Sequence, residues 1–252
     1  MELLHGDCLE LMKGIPDKSI DMVLCDLPYG TTENEWDSII DLKELWKQYN
    51  RIIKDNGCIA LFAQCPFDKI LGMSNISMLR YEYIWIKDNS TGFLNANKMP
   101  LKKTENILIF YKKLPTYNPQ MKSGKPYVCK RGSGSSNWHY AKNCDGYITV
   151  NEGLRYPDNV LKFNRDKEKF HPTQKPILLL EHLILTYTNQ GDVVLDNCMG
   201  SGSTGVACKL TDRKFIGIEL NQEYFNIAKE RIEKGFIQED IKIESGSLLD
   251  NL

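Results

Sequence analysis

No apolar run in this chain approaches the ~20 residues needed to cross a bilayer, so no membrane-spanning helix is expected. The opening "MELLHGDCLE" carries acids early and lacks a basic segment, which argues against a secretory signal peptide. CxxC pairs are also missing. The eight cysteines are scattered, several inside apolar runs, which excludes a zinc knuckle and a disulfide frame and fits reduced thiols in a cytoplasmic protein. Internal repeats and long low-complexity tracts are absent, which excludes a solenoid. Net charge is almost absent too, at −1 over 252 residues.

That near-zero sum hides an asymmetry. Residues 98–175 hold 16 Lys and Arg against 6 Asp and Glu, while the rest holds 16 against 27. A basic face for a polyanion on an acidic body would give this distribution. A solvated, lysine-rich lobe would give it equally well. With 42% hydrophobic residues, the length suits one large α/β domain or one domain with an inserted lobe.

Strand and helix patterns alternate through the first third. "ELLHG" could be a strand, and "SIDMVLCD" and "CIALFA" are apolar enough for buried strands of a parallel sheet. "CLELMKGI" has helical spacing. "DSIIDLKELWKQYNRIIKDNG" predicts a helix closing at Gly57 as its C′ residue. "PFDKILGMSNI" is a weaker helix, and "RYEYIWIK" and "ENILIFYK" are strands that could pair. From Lys113 to Lys169 the rhythm dissolves into Gly, Ser, Asn, Lys and Tyr, too long for a plain loop in a compact domain. It then resumes. "KPILLLEHLILTYTNQG" predicts a helix with Pro176 in its first turn. "DVVLDNC", "STGVACKLT", "KFIGIEL" and "NQEYFNIAKERIEKG" follow as strand, helix, strand and helix, with Asn221 as N-cap of the last. "IKIES" is a final strand or a tail. The expected fold is a doubly wound, mostly parallel sheet.

Two stretches carry chemistry. In "VVLDNCMGSGSTG", Gly200-Ser201-Gly202 and Gly205 spell G-x-G-x-x-G between a strand and a helix. Glycines there admit close backbone approach to a ligand and tight helix packing. Glu219, at the end of the next strand, is placed to accept from ribose hydroxyls. Asp196, four residues before Gly200, would repel a pyrophosphate but favour a cation or amine. A ligand with a ribose, a positive centre and no phosphate fits: S-adenosylmethionine. The second stretch, "VLCDLPYG", ends a strand in an acid. Open α/β sheets bind ligands at the carboxyl ends of their strands, so Asp26 would share that crevice. Methylating an exocyclic amine needs hydrogen-bond acceptors on the NH₂. The Asp26 carboxylate and the Leu27 carbonyl, held by Pro28, can supply them. It also needs an extruded base, and Tyr29 supplies a ring on which to stack it, worth about 1–3 kcal/mol.

With these motifs in this order, the sequence resembles the amino-methylating DNA methyltransferases, in particular the permuted β class with the catalytic motif first. The Asp-Pro-Pro-Tyr-type motif reads Asp26-Leu27-Pro28-Tyr29 here, with leucine for the first proline. "HGDCLELM" resembles the segment in which an aspartate, here Asp7, contacts the donor's adenine. "TENILIFYK" resembles the strand lining the base pocket. "KFHPTQKPILLLEHLI" implies His171, Thr173, Gln174 and Lys175 near the donor's methionine end. Local readings stand beside these. Asp7 could be a helix N-cap, His171 a turn residue and Lys175 a solvated helix start.

The resemblance implies a seven-stranded methyltransferase sheet. Residues 1–112 would form its catalytic half, 113–169 an inserted target-recognition region and 170–252 the donor-binding half. The implied reaction is methyl transfer from S-adenosylmethionine to the N6 of a flipped-out adenine in double-stranded DNA. Cytosine N4 is the first alternative, and an RNA base or a protein amide a more distant one. No metal is implied. A homodimer and a cognate restriction endonuclease remain open. The run "KRGSGSSNWHY" is expected to order on DNA. A nicotinamide oxidoreductase would explain the glycine loop but not Asp26–Tyr29, and a silent binding module would not need either acid.

Overall fold

A computed structural model describes residues 1–28, 40–130, 148–168 and 170–234. Tyr29, residues 131–140 of the "KRGSGSSNWHY" run and the "IKIES" segment lie outside them. The chain begins with β1 (Glu2–His5), α1 (Cys8–Met12), β2 (Ile20–Asp26), α2 (Leu42–Ile52), β3 (Ile53–Ala63) and α3 (Phe67–Ser74). A hairpin of β4 (Leu79–Thr91) and β5 (Lys102–Phe110) follows. The basic segment holds the short strands β6 (Lys122–Ser123), β7 (Tyr127–Lys130), β8 (Ile148–Asn151), β9 (Leu154–Arg155) and β10 (Val160–Lys162). Then come α4 (Ile177–Tyr187), β11 (Val193–Asp196), α5 (Ser203–Leu210), β12 (Lys214–Glu219) and α6 (Gln222–Lys234).

Eight strands form the central sheet, in the order β1-β12-β11-β2-β3-β5-β4-β10. Only β5 runs antiparallel to its neighbours. The first seven are the expected set; the eighth, β10, comes from the basic segment and pairs Leu161 with Trp85 at the sheet edge. Strands β6 and β9, and β7 and β8, make two separate two-stranded sheets.

Two apolar layers sandwich the sheet. Alternate residues of one strand face opposite layers. Met22 and Leu24 of β2 pack with Ala60 and Phe62 of β3 under α4 and α5. Val23 and Cys25 face the other way, toward Leu45 and Tyr49 of α2 and Leu71 of α3. Burial on both faces explains why these strands are unbroken apolar runs rather than alternating ones. Among the described residues, no helix is long and apolar enough to cross a membrane.

Two local expectations are corrected. Helix α2 starts on Asp41, whose Oδ1 accepts from the Lys43 and Glu44 backbone N–H groups, a cap worth about 1 kcal/mol. It ends at Ile52, not Gly57, because Ile53 is drawn into the sheet against Ile20. The register with β2 then slips, so that Met22 pairs with Cys58. Gly57 sits in that slip, where a Cβ would lie 2.9 Å from the Asp21 carbonyl oxygen. Pro176 occupies the N-cap of α4, with extended backbone, one residue before the first turn. Asn221 caps α6 as expected, its Oδ1 accepting from Glu223 N and Tyr224 N at 2.9 and 3.1 Å.

Candidate active site

The central strands β11 and β2 are direct neighbours, with Val194 opposite Met22 and Leu195 opposite Val23. Their carboxyl ends therefore open side by side, although 170 residues separate Asp26 from Asp196. A cavity of about 730 Å³ lies there, within the usual range of roughly 300–1,000 Å³ for ligand sites. Asp26, Leu27 and Pro28 form one wall. Asp196, Gly200, Ser201 and Glu219 form the opposite one. Asp7 enters from the β1–α1 turn, and His171, Thr173, Gln174 and Lys175 from the segment leading into α4. Of the sequence-predicted residues within the described chain, only Gly202 and Gly205 fall outside the lining.

The glycine loop is shaped by backbone, not by side chains. Gly200 and Gly202 take φ values of +51° and +79°, in the left-handed region that disfavours other residues. Gly202 lies against α6, where a Cβ would come 2.8 Å from the Ala228 Cβ. Its part is packing, which lets the Gly200–Ser201 backbone face the cavity. The Glu219 carboxylate braces the same loop, accepting from Gly200 N and Asn221 N, both at 2.8 Å. Burial pushes its pKa up. Asp196 is deeper and 4% exposed. It accepts from the Thr204 hydroxyl at 2.6 Å and from Cys198 N at 3.1 Å. Burial raises its pKa to about 6, against these hydrogen bonds. Arg231, absent from the sequence expectations, clamps the loop from behind, donating from Nη1 to the Ser201 carbonyl at 2.5 Å and to its Oγ at 2.9 Å.

Asp7 serves as N-cap of α1, accepting from Glu10 N at 3.0 Å, while also lining the cavity. His171 packs edge-on to Tyr224 at 4.2 Å. Burial first, and the Lys175 charge second, lower its pKa to about 4. The ring is thus neutral near pH 7, and its Nδ1 accepts from Thr173 N at 3.2 Å, which leaves the proton on Nε2.

Lys175 is neither solvated nor turned only toward the donor loop. Its ammonium, 9% exposed, bonds Asp26 Oδ2 and lies 3.0 Å from Glu105 Oε1. Glu105 Oε2 takes Lys87 Nζ at 2.7 Å and Gln64 Nε2 at 3.2 Å. The Phe62 ring lies 5.1 Å from the Lys175 ammonium. Burial works against charge on Lys175, but Asp26 and Glu105 outweigh it and hold its pKa above the ordinary lysine value. Burial likewise opposes charge on Glu105, and Lys175 and Lys87 pull its pKa below the usual carboxylate range. The outcome is an alternating row, Asp26–Lys175–Glu105–Lys87, of balanced charge. A lysine held protonated in this way cannot serve as a base. It can fix the orientation of Asp26. A carboxylate has about four lone-pair sites, so this pairing does not exhaust Asp26 as an acceptor.

An acid on one strand end thus stands beside a glycine loop on the next, in one crevice. The DNA methylase family model matches residues 20–230, and the chain belongs to that family. It is 32% identical over 250 residues to the DNA adenine methyltransferase YhdJ of Escherichia coli K12, covering 92% of this chain and 82% of that protein. It is 29% identical to the Type II methyltransferase M.HpaI of Haemophilus parainfluenzae, over 93% and 74% of the two chains. Among solved structures, the M1.HpyAVI–SAM complex superposes with a TM-score of 0.63 at 25% identity, over 91% of this chain and 98% of that one. The cytosine-N4-specific PvuII DNA methyltransferase shares the fold, with a TM-score of 0.67 at 17% identity over 99% and 93% of the chains.

Proposed function

We propose that this protein methylates the N6 amine of adenine at specific sites in double-stranded DNA, with S-adenosylmethionine as donor. The observation that carries the reading is the placement of Asp26 and the Gly200–Gly202 loop on adjacent strand ends of one cavity. The donor fits the walls on chemical grounds. Two carboxylates, the buried Asp196 and the half-buried Glu219, suit a ligand with a positive centre and ribose hydroxyls, and would oppose a pyrophosphate. Bound there, the donor supplies an electrophilic methyl group.

The chain's own part is positional. Asp26 and the Leu27 carbonyl accept the two N–H groups of the target amine and turn its lone pair toward the methyl carbon. Lys175 pairs with Asp26 and aims it. Negative charge beside the nitrogen stabilises the positive charge that develops as the new bond forms. The proton leaves the product ammonium to water, so no strong base is required. Adenine is favoured over cytosine because an Asp-led motif, in the family the sequence resembles, usually goes with the N6 of adenine and a Ser-led one with the N4 of cytosine; the name of the Escherichia coli relative supports the same choice. Residues 113–169, with Lys122, Lys125 and Arg155 among their charges, are assigned to recognition of the DNA site. A cognate restriction endonuclease belongs to the same proposal, suggested by the Type II names of several relatives.

Label transfer tests it. Protein incubated with isotopically labelled S-adenosylmethionine and unmodified mixed-sequence DNA should yield labelled N6-methyladenine after digestion. Label on N4-methylcytosine would overturn the choice of base while leaving the enzyme class. A label-free digest, with donor binding intact, would redirect attention to RNA or protein substrates.

The glycine loop makes a separate prediction. In Gly202→Ala the backbone would be strained at φ +79° and the new methyl would meet Ala228. The loop must shift, at a cost of about 1–3 kcal/mol. Calorimetric titration with S-adenosylmethionine should show affinity reduced tenfold or more. Unchanged affinity would remove the loop from the donor site.

A further inference from the structure

The β4–β5 hairpin runs past the end of its neighbour. Strand β3 finishes at Ala63, opposite Asn106, whereas the hairpin continues to the Thr91–Lys102 pair. Four further strand residues carry it roughly 14 Å beyond the carboxyl edge of β3. Lys87, Thr91 and Glu105 of this same hairpin line the cavity, so its tip rises at the mouth of the active site. The tip is built rather than loose. Gly92, at φ +92°, opens a 3₁₀ turn over Phe93–Asn95. Asn95 N bonds the Gly92 carbonyl at 2.9 Å, and Lys98 N and Met99 N both bond the Asn95 carbonyl, at 2.9 and 3.0 Å.

What this turn presents is unusual for a surface. Phe93 is 71% exposed, Leu94 99% and Met99 53%. A single exposed apolar residue is ordinary; three on one ordered tip form a patch that has a purpose. Residues 89–104 also hold three lysines, at 98, 102 and 103, and no acid. Apolar side chains ringed by cations match one occupant well, a nucleic-acid duplex. Lysines take its phosphates, and apolar side chains enter between its base steps.

We propose that Phe93 and Leu94 form a wedge that enters the duplex where the target nucleotide leaves the stack, filling the gap and slowing its return. This rests on the reading of the protein as a DNA methyltransferase. Extruding a base costs a few kcal/mol of stacking and pairing, and an apolar filler offsets part of that cost. Lys98, Lys102 and Lys103 would hold the tip against the backbone on either side.

The test compares the full-length protein with the Phe93→Ser/Leu94→Ser variant. Two duplexes carry the methylated site mapped with the unaltered protein, one fully paired and one with the target base opposite an abasic position. The variant should lose tenfold or more in kcat/KM on the paired duplex. It should recover to within about threefold of the unaltered protein on the abasic one, where the base is already unpaired. Donor affinity and melting temperature should stay unchanged, because both side chains are exposed. Equal losses on the two duplexes, or no loss on either, would overturn the wedge. A change in oligomeric state of the variant would overturn it in favour of a second copy as occupant. Failure of the unaltered protein to methylate any DNA would be a different result, removing the reading on which the wedge rests.

Discussion

Asp26→Ala is expected to abolish methyl transfer to DNA while leaving S-adenosylmethionine affinity within a few-fold. Two roles are lost together. The amine loses its anionic acceptor, and the nitrogen loses the charge that stabilises it as it becomes positive. Removal of a single oriented electrostatic contact of this kind costs about 10²–10³ in rate. Loss of positioning adds to that, so the combined loss should exceed 10³. The residues proposed to hold the donor lie at other strand ends, on β11 and β12, and those strands are paired independently of the Asp26 side chain. Single-turnover transfer and donor titration on one preparation check the prediction. Lost donor binding with transfer retained would reverse the assignment of the two walls.

The second large effect concerns Lys175. Lys175→Met would take the Lys175 ammonium away from both Glu105, 2% exposed, and Asp26. Stripping one member from a buried charge network costs about 3–5 kcal/mol. The melting temperature should fall by roughly 10 °C in a chain of this size. Replacing both, as in Lys175→Met/Glu105→Gln, should restore neither the melting temperature nor the rate, since Lys87 would lose its carboxylate and Asp26 would still lack its anchor. The sign of the pH dependence follows from the two shifts. Glu105 has a depressed pKa in the folded state, so its contribution is present above its ordinary value of 4.5 and lost as pH falls below it. Lys175 has a raised pKa, so its contribution is present below 10.5 and lost as pH climbs beyond. Between those limits Glu105 and Lys175 are both charged.

The two walls of the site were legible because each ends an apolar strand in an acid, and an acid there has few structural reasons to exist. The row behind Asp26 was harder to see. Lys87 and Glu105 look like ordinary charges on strands with mixed composition. Their parity carried a signal all the same. Tyr83, Trp85 and Lys87 share one face of β4, and Glu105, Ile107 and Ile109 one face of β5, with the apolar members buried. A charge on a buried parity demands an opposite charge from elsewhere, and Lys175, 70 residues beyond Glu105, is set there only by the packing of α4. Arg231 was hidden for a related reason. On a helix with charges at most turns, nothing local marks the one that folds under the glycine loop. The end of α2 was misplaced because Gly57 resembles a helix stop, while the pull that ends the helix is the pairing of Ile53 with Ile20 on a distant strand.

The adjacency of β11 and β2 has one more consequence. The strands that lead to the two sides of the candidate site run one rung of the hydrogen-bond ladder apart, a spacing of about 4.8 Å fixed by backbone geometry. Their standing side by side is thus a property of the sheet. Substitutions accumulating on the surface cannot separate them. Selection is left to act on what surrounds that fixed interval: which nucleotides are brought to it, and how long each is kept there.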